Sequence, residues 1–123
     1  MKKILVIDDD ESILDAIKEI LAEANYTVET LANTDTIFDT IDEFKPDLII
    51  IDYLLSGING GEFCHQVKTN PKTLGIPVII ISAYPKTLLS LGTYGADMFI
   101  AKPFDLQYFL DTVGGFVPQK SAS

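Results

Sequence analysis

Positive charge is scarce in this chain. Nine Lys and Arg residues face 18 Asp and Glu, giving a formal net charge of −9 over 123 residues and a pI of about 4.3. Gripping a nucleic-acid backbone requires Lys and Arg to replace condensed counterions, and an anionic lipid surface repels an acidic protein. Neither direct nucleic acid binding nor a membrane partner is expected. Cysteine is nearly absent too. Cys64 stands alone, so no disulfide can close within the chain and the fold does not depend on an oxidising compartment. Long hydrophobic runs are missing. The first apolar stretch, Ile4-Leu5-Val6-Ile7, stops at Asp8, too early for a signal-peptide core or a spanning helix. A cytoplasmic location is expected. No repeat, low-complexity tract or linker divides the chain. One domain is expected over residues 1–117, with a flexible tail over 118–123 that begins after Gly114-Gly115.

What is present is an ordinary globular composition, 47% hydrophobic and 22% charged, long enough to fold around one core. Ile4-Leu5-Val6-Ile7, Leu48-Ile49-Ile50-Ile51 and Val78-Ile79-Ile80-Ile81 are continuously apolar and mostly β-branched. Such runs suit strands buried on both faces of a parallel sheet. Residues 26–30 alternate more weakly, as an edge strand does, and 98–101 supply a fifth strand. Between them, Ile13, Ile17, Ile20 and Ala24 form a helical stripe joined by Leu14 and Leu21. Ile37, Phe38, Ile41 and Phe44 form a second, capped by Asn33 or Thr34. Asn59 and Glu62 have capping-box spacing before a third helix carrying Phe63 and Val67. Residues 84–94 allow a short fourth helix opened by Pro85. Asp105 caps a last helix presenting Leu106, Phe109, Leu110 and Val113. Strand and helix alternate about five times, which argues for an α/β fold with a parallel sheet and right-handed crossovers.

In such sheets ligands bind beyond the carboxyl ends of the strands. The first strand ends in Asp8-Asp9-Asp10, the third in Asp52 and the fourth in Ser82, and the fifth is followed by Lys102-Pro103. Neighbouring strands lie about 5 Å apart, so Asp52 and the first-strand acids repel one another across a short gap. A hard divalent cation relieves that repulsion, and Mg²⁺ favours a few carboxylates plus phosphate oxygens. Asp10 alone is better read as the cap of the first helix. Asp52 then takes the role of a nucleophile toward phosphorus. Mg²⁺ and Lys102 balance charge on the phosphoryl oxygens, and the Ser82 hydroxyl donates to one of them.

Four segments together resemble the receiver domains of two-component response regulators. They are Ile4 through Asp10, Pro46-Asp47 through Asp52, Pro77 through Ser82-Ala83, and Gly95-Ala96-Asp97 leading to Lys102-Pro103-Phe104. The resemblance implies a flavodoxin-like, doubly wound five-stranded sheet of order 2-1-3-4-5 with helices on both faces. It implies a signalling domain, not an enzyme in the ordinary sense, that promotes only its own phosphorylation and dephosphorylation. By resemblance, Asp8, Asp9, Asp52 and the backbone carbonyl of Leu54 hold Mg²⁺ (or Mn²⁺), with Asp9 a more direct ligand than Asp8. Asp52 is the phosphoacceptor, Lys102 the site lysine, Ser82 the switch hydroxyl and Phe99 the aromatic switch position. Phe99 reads equally well as a core aromatic. Leu54 and Tyr84 fall where the family tunes phosphoryl lifetime, and an apolar and an aromatic residue there imply slow hydrolysis. Ser56 stands where the family usually has Pro, so the loop is less stiff, while the Gly60 position is retained and the chemistry is not affected.

The implied partners are a sensor histidine kinase or phosphotransfer protein, and an output domain or target. A homodimer through the face formed by the fourth helix, fifth strand and last helix is left open, as is the choice between a free-standing receiver and a piece of a longer regulator. The competing enzyme reading is a haloacid-dehalogenase-type phosphatase using Asp8 and Asp10, which leaves Asp52 at the wrong strand end and provides no cap domain. A flavin carrier would want hydroxyls and backbone donors after the first strand, where this chain has acids. Cys64 and His65 are adjacent on a helix and point apart, against a metal pair.

Overall fold

A computed structural model describes residues 2–53, 59–83 and 95–118. The order of elements is β1 (Lys3–Ile7), α1 (Glu11–Glu23), β2 (Thr27–Leu31), α2 (Ile37–Phe44), β3 (Leu48–Asp52), α3 (Gly60–Thr69), β4 (Val78–Ser82), β5 (Met98–Ala101) and α4 (Leu106–Phe116). The helix expected over 84–94 and most of the expected tail lie outside the described residues. The strands pair in parallel in the order β2-β1-β3-β4-β5, as the resemblance implied.

The continuous apolar runs are explained by covers on both faces. Ile4, Val6, Leu48, Ile50, Ile79, Ile81 and Ile100 meet Leu14, Ile17 and Leu21 of α1 and Phe109 and Val113 of α4. Alternate residues Leu5, Ile7, Ile49, Ile51, Val78 and Ile80 meet Ile37 and Ile41 of α2 and Phe63, Cys64 and Val67 of α3. Each fully buried aliphatic side chain contributes about 1.5–3 kcal/mol, so the central strands hold the sheet rigid just where their ends carry charge. The weakly alternating β2 is an edge strand, half-exposed along its length.

Helix starts follow local chemistry. The Asp10 carboxylate accepts from the Ser12 and Ile13 amides, Asn59 from Glu62, and Asp105 from Tyr108. One expected cap is corrected. α2 begins after Thr36, which makes no side-chain cap bond. Asn33 instead closes a turn, its Oδ1 accepting from the Asp35 amide at 3.0 Å, so the helix starts later than its polar residues suggest. In α1 the buried centre is Leu14, Ile17 and Leu21, with Ile13 and Ala24 packed at its margin.

The amino ends of the strands are tied by acids with a structural task. Asp47 Oδ2 accepts from the Lys3 amide at 2.8 Å. Asp97 Oδ2 accepts from the Val78 amide at 2.8 Å and pairs with the Lys68 ammonium at 2.8 Å, which also donates to the Ile76 carbonyl. At the far end of α4, the buried Tyr26 hydroxyl donates to the Val117 carbonyl at 2.8 Å. Tyr26→Phe should therefore cost about 1–3 kcal/mol by leaving that carbonyl without its partner. Urea unfolding is the check: the midpoint should fall with the slope unchanged, and an unmoved midpoint contradicts the assignment.

Candidate functional site

The register of β1 against β3 pairs Ile7 with Ile51, so the next residues, Asp8 and Asp52, leave the sheet side by side. Both are buried, at 2% and 8% exposure. Asp9 is exposed beside them. One oxygen from each of Asp8, Asp9 and Asp52 lies within 4.8 Å of the others. Two oxygens across an octahedral Mg²⁺ stand about 4.2 Å apart, so the hard, anionic donor set fits such an ion with small adjustments.

Lys102 supplies the counter-charge. Its Nζ lies 2.9 Å from Asp52 Oδ1 and 3.1 Å from Asp8 Oδ2. The Ser82–Ala101 register brings it there, and the Lys102 amide donates to the Ser82 carbonyl. Three carboxylates thus face one ammonium. Burial pushes the Asp52 carboxyl above its usual range; the Lys102 hydrogen bond opposes this, and the Asp8 and Asp9 charges reinforce it. Burial pulls the Lys102 ammonium down, but its hydrogen bonds to Asp52 and Asp8 outweigh that and hold its pKa above the usual value. The lysine stays charged.

Ser82 is buried at the end of β4, 4% exposed. Phe99 is half-buried, in register with Ile80 and packed against the core under α2 and α3. Asp10 is turned away into its capping role, and its own amide donates to Asp8 Oδ1 at 3.0 Å. Leu54 and Tyr84 lie outside the described residues. Cys64 is fully buried and its thiol is pushed up to about 11, first by desolvation, while His65 on the next position is exposed.

The resemblance marks Gly60 as a retained position of the family pattern, and the structure supplies the steric reason. A Cβ on Gly60 would stand 2.5 Å from the Asp52 carbonyl oxygen and 2.9 Å from Tyr53 Cα. The Gly60 amide donates to the Tyr53 carbonyl at 2.9 Å.

The profile described as the response regulator receiver domain matches residues 4–114. The chain belongs to the response regulator receiver family. It is 33% identical to the response regulator ArlR of Staphylococcus aureus, over 98% of this chain and 56% of ArlR. It is also 33% identical to the sensory transduction protein BceR of Halalkalibacterium halodurans, over 85% of this chain and 45% of BceR. The receiver thus spans about half the length of these curated relatives. Among solved structures, a putative response regulator from Chloroflexus aurantiacus superposes with a TM-score of 0.87 at 27% identity, covering 96% of this chain and 98% of that one. TrrA from Thermotoga maritima, solved in complex with Mg²⁺-BeF, gives 0.85 at 28%, covering 95% and 100%. No helix among the described residues is long and apolar enough to cross a membrane.

The raised pKa of Asp52 has a definite sign in stability. The folded receiver holds that proton more tightly than the unfolded chain does, so ionised Asp52 costs stability. The cost is absent below the ordinary value of 3.8 and develops as pH rises through the raised folded value. In EDTA, Asp52→Asn should be more stable than the parent protein at pH 7, with the advantage shrinking as pH falls toward the ordinary carboxylate range. Urea titrations across that range test it, and a variant no more stable at pH 7 contradicts it.

Proposed function

We propose that this receiver accepts a phosphoryl group on Asp52 from a sensor histidine kinase or phosphotransfer protein, in a Mg²⁺-dependent reaction, and changes conformation to control an output domain or target. The observation that carries the reading is the Lys102 ammonium held 2.9 Å from the buried Asp52 carboxylate, beside two further acids. The Mg²⁺-BeF complex of the similar TrrA supports it.

In the forward reaction an Asp52 carboxylate oxygen attacks phosphorus. The bond from phosphorus to the donor's histidine nitrogen breaks, its electron pair stays on that nitrogen, and an aspartyl phosphate remains. Asp8, Asp9, Asp52 and the Leu54 backbone carbonyl would hold Mg²⁺ (or Mn²⁺), which supplies neutralisation of the carboxylates and the phosphoryl oxygens. Lys102 exchanges its ion pair with the Asp52 carboxylate for one with a phosphoryl oxygen, while Asp8 keeps it charged and in place. Ser82 donates its hydroxyl to another phosphoryl oxygen, and Phe99 on the neighbouring strand follows as the switch residue. Dephosphorylation reverses the charge change, with water as acceptor and inorganic phosphate released. Leu54 and Tyr84 limit the approach of that water. The domain spans 1–117 and acts in the cytoplasm, where its kinase's ATP is available.

The test is intact-mass spectrometry after incubation with Mg²⁺ and acetyl phosphate. The parent chain should gain one phosphoryl group, labile to hydroxylamine, and Asp52→Ala none. Lys102→Ala should react about a hundredfold more slowly, the usual cost of losing one charge-stabilising donor. A phosphoryl adduct of equal yield in Asp52→Ala overturns the proposal.

A further inference from the structure

The β3–α3 loop of this receiver leaves the acceptor strand at Tyr53 and rejoins the described chain at Asn59. Five residues separate those two points. Its two ends are nevertheless pinned to one another. The Gly60 amide donates to the Tyr53 carbonyl at 2.9 Å, and the Gly60 Cα lies so close to the Asp52 peptide that an added Cβ would stand 2.5 Å from the Asp52 oxygen. We propose that Gly60 is a positioning residue, a zero-clearance clamp through which α3 sets the backbone of Asp52, and thereby the Mg²⁺-binding geometry. This inference rests on the reading of Asp52 as phosphoacceptor.

The clamp works because neither side can yield cheaply. The atoms a Cβ would meet are backbone, not the tip of a flexible side chain. Asp52 closes a strand paired on both sides and buried on every residue. Tyr53 is held from the other direction, its amide donating to the Ile81 carbonyl at 2.9 Å. On the α3 side, Asn59 caps the helix through the Glu62 amide at 2.7 Å, and Phe63, Cys64 and Val67 are fully buried against the sheet. A methyl group at Gly60 must therefore lift the start of α3 and open the hydrogen bond that closes the loop. The peptide it would press on is that of Asp52, whose carboxylate is a proposed Mg²⁺ ligand. At Gly114 glycine is not demanded in this way: a Cβ there would meet nothing within 4 Å.

The experiment compares the parent receiver, Gly60→Ala and Gly114→Ala by isothermal titration with Mg²⁺ alone, and then follows acetyl phosphate labelling as a function of Mg²⁺. Gly60→Ala should bind Mg²⁺ at least about tenfold more weakly, as loss of support around a ligand set commonly does, and its labelling should need correspondingly more Mg²⁺. Gly114→Ala should match the parent in both. A folded Gly60→Ala with parental Mg²⁺ affinity and labelling overturns the clamp while leaving Asp52 as acceptor; a parent chain that acquires no label overturns the functional reading itself. Amide exchange on the unmutated protein covers the case in which Gly60→Ala does not fold. Mg²⁺ with beryllium fluoride should slow exchange of the Gly60 amide by at least about tenfold, a shift of one order in the opening equilibrium, and leave Gly114 unchanged. An unchanged Gly60 amide overturns the proposal.

Discussion

One ammonium group held between two buried carboxylates organises this molecule. Lys102 Nζ touches Asp52 at 2.9 Å and Asp8 at 3.1 Å, yet it follows a strand that is not next to theirs. β4 lies between β5 and β3, so reaching Asp52 spans roughly two strand spacings, about 10 Å, with Asp8 at the end of β1 one strand further on. A long, flexible stem ending in a compact charge meets that demand. The sheet order, the alternation that brings Asp8 and Asp52 to neighbouring strand ends, and the rigid two-faced core all serve to hold this contact.

The arrangement is electrostatically unsettled, and the function follows from that. Three carboxylates converge on one ammonium, and burial holds the Asp52 carboxyl above its ordinary pKa. A fold selected for stability alone would place apolar residues at these strand ends. In the proposed function the residual negative charge makes a place for a hard cation, and the cation together with Lys102 makes a place for a phosphoryl group. Because Lys102 has two carboxylate partners, it can release Asp52 and remain compensated by Asp8. Ser82 stands at the carboxyl end of β4 beside this charge, and Phe99 lies further back on the neighbouring β5, opposite Ile80.

Much of this was legible in the sequence because it is local or periodic. Strands buried on both faces must be apolar at every position, so β1, β3 and β4 announced themselves. Asp10, Asn59 and Asp105 cap their helices through bonds that span two or three residues, the range over which sequence spacing is informative. Asn33 misled for the same reason. Its side chain serves an equally local turn, and nothing in the spacing separates that from a cap three residues before α2. What stayed hidden depends on tertiary approach. The need for Gly60 arises from the Asp52 peptide packed against it, and the work of Asp47 and Asp97 lies in amides distant in the chain. Those two acids belong to the segments that carry the resemblance, yet they stand at the amino ends of the strands, away from the candidate site.

The account stands on the identity of one acceptor among three converging acids, and reductive trapping reads that identity without altering the protein. After labelling with acetyl phosphate and Mg²⁺, borohydride converts an aspartyl phosphate to homoserine, and peptide mapping locates the converted residue. The account predicts homoserine at position 52 and unmodified aspartate at positions 8 and 9. Homoserine at Asp8 or Asp9, with Asp52 intact, would contradict it.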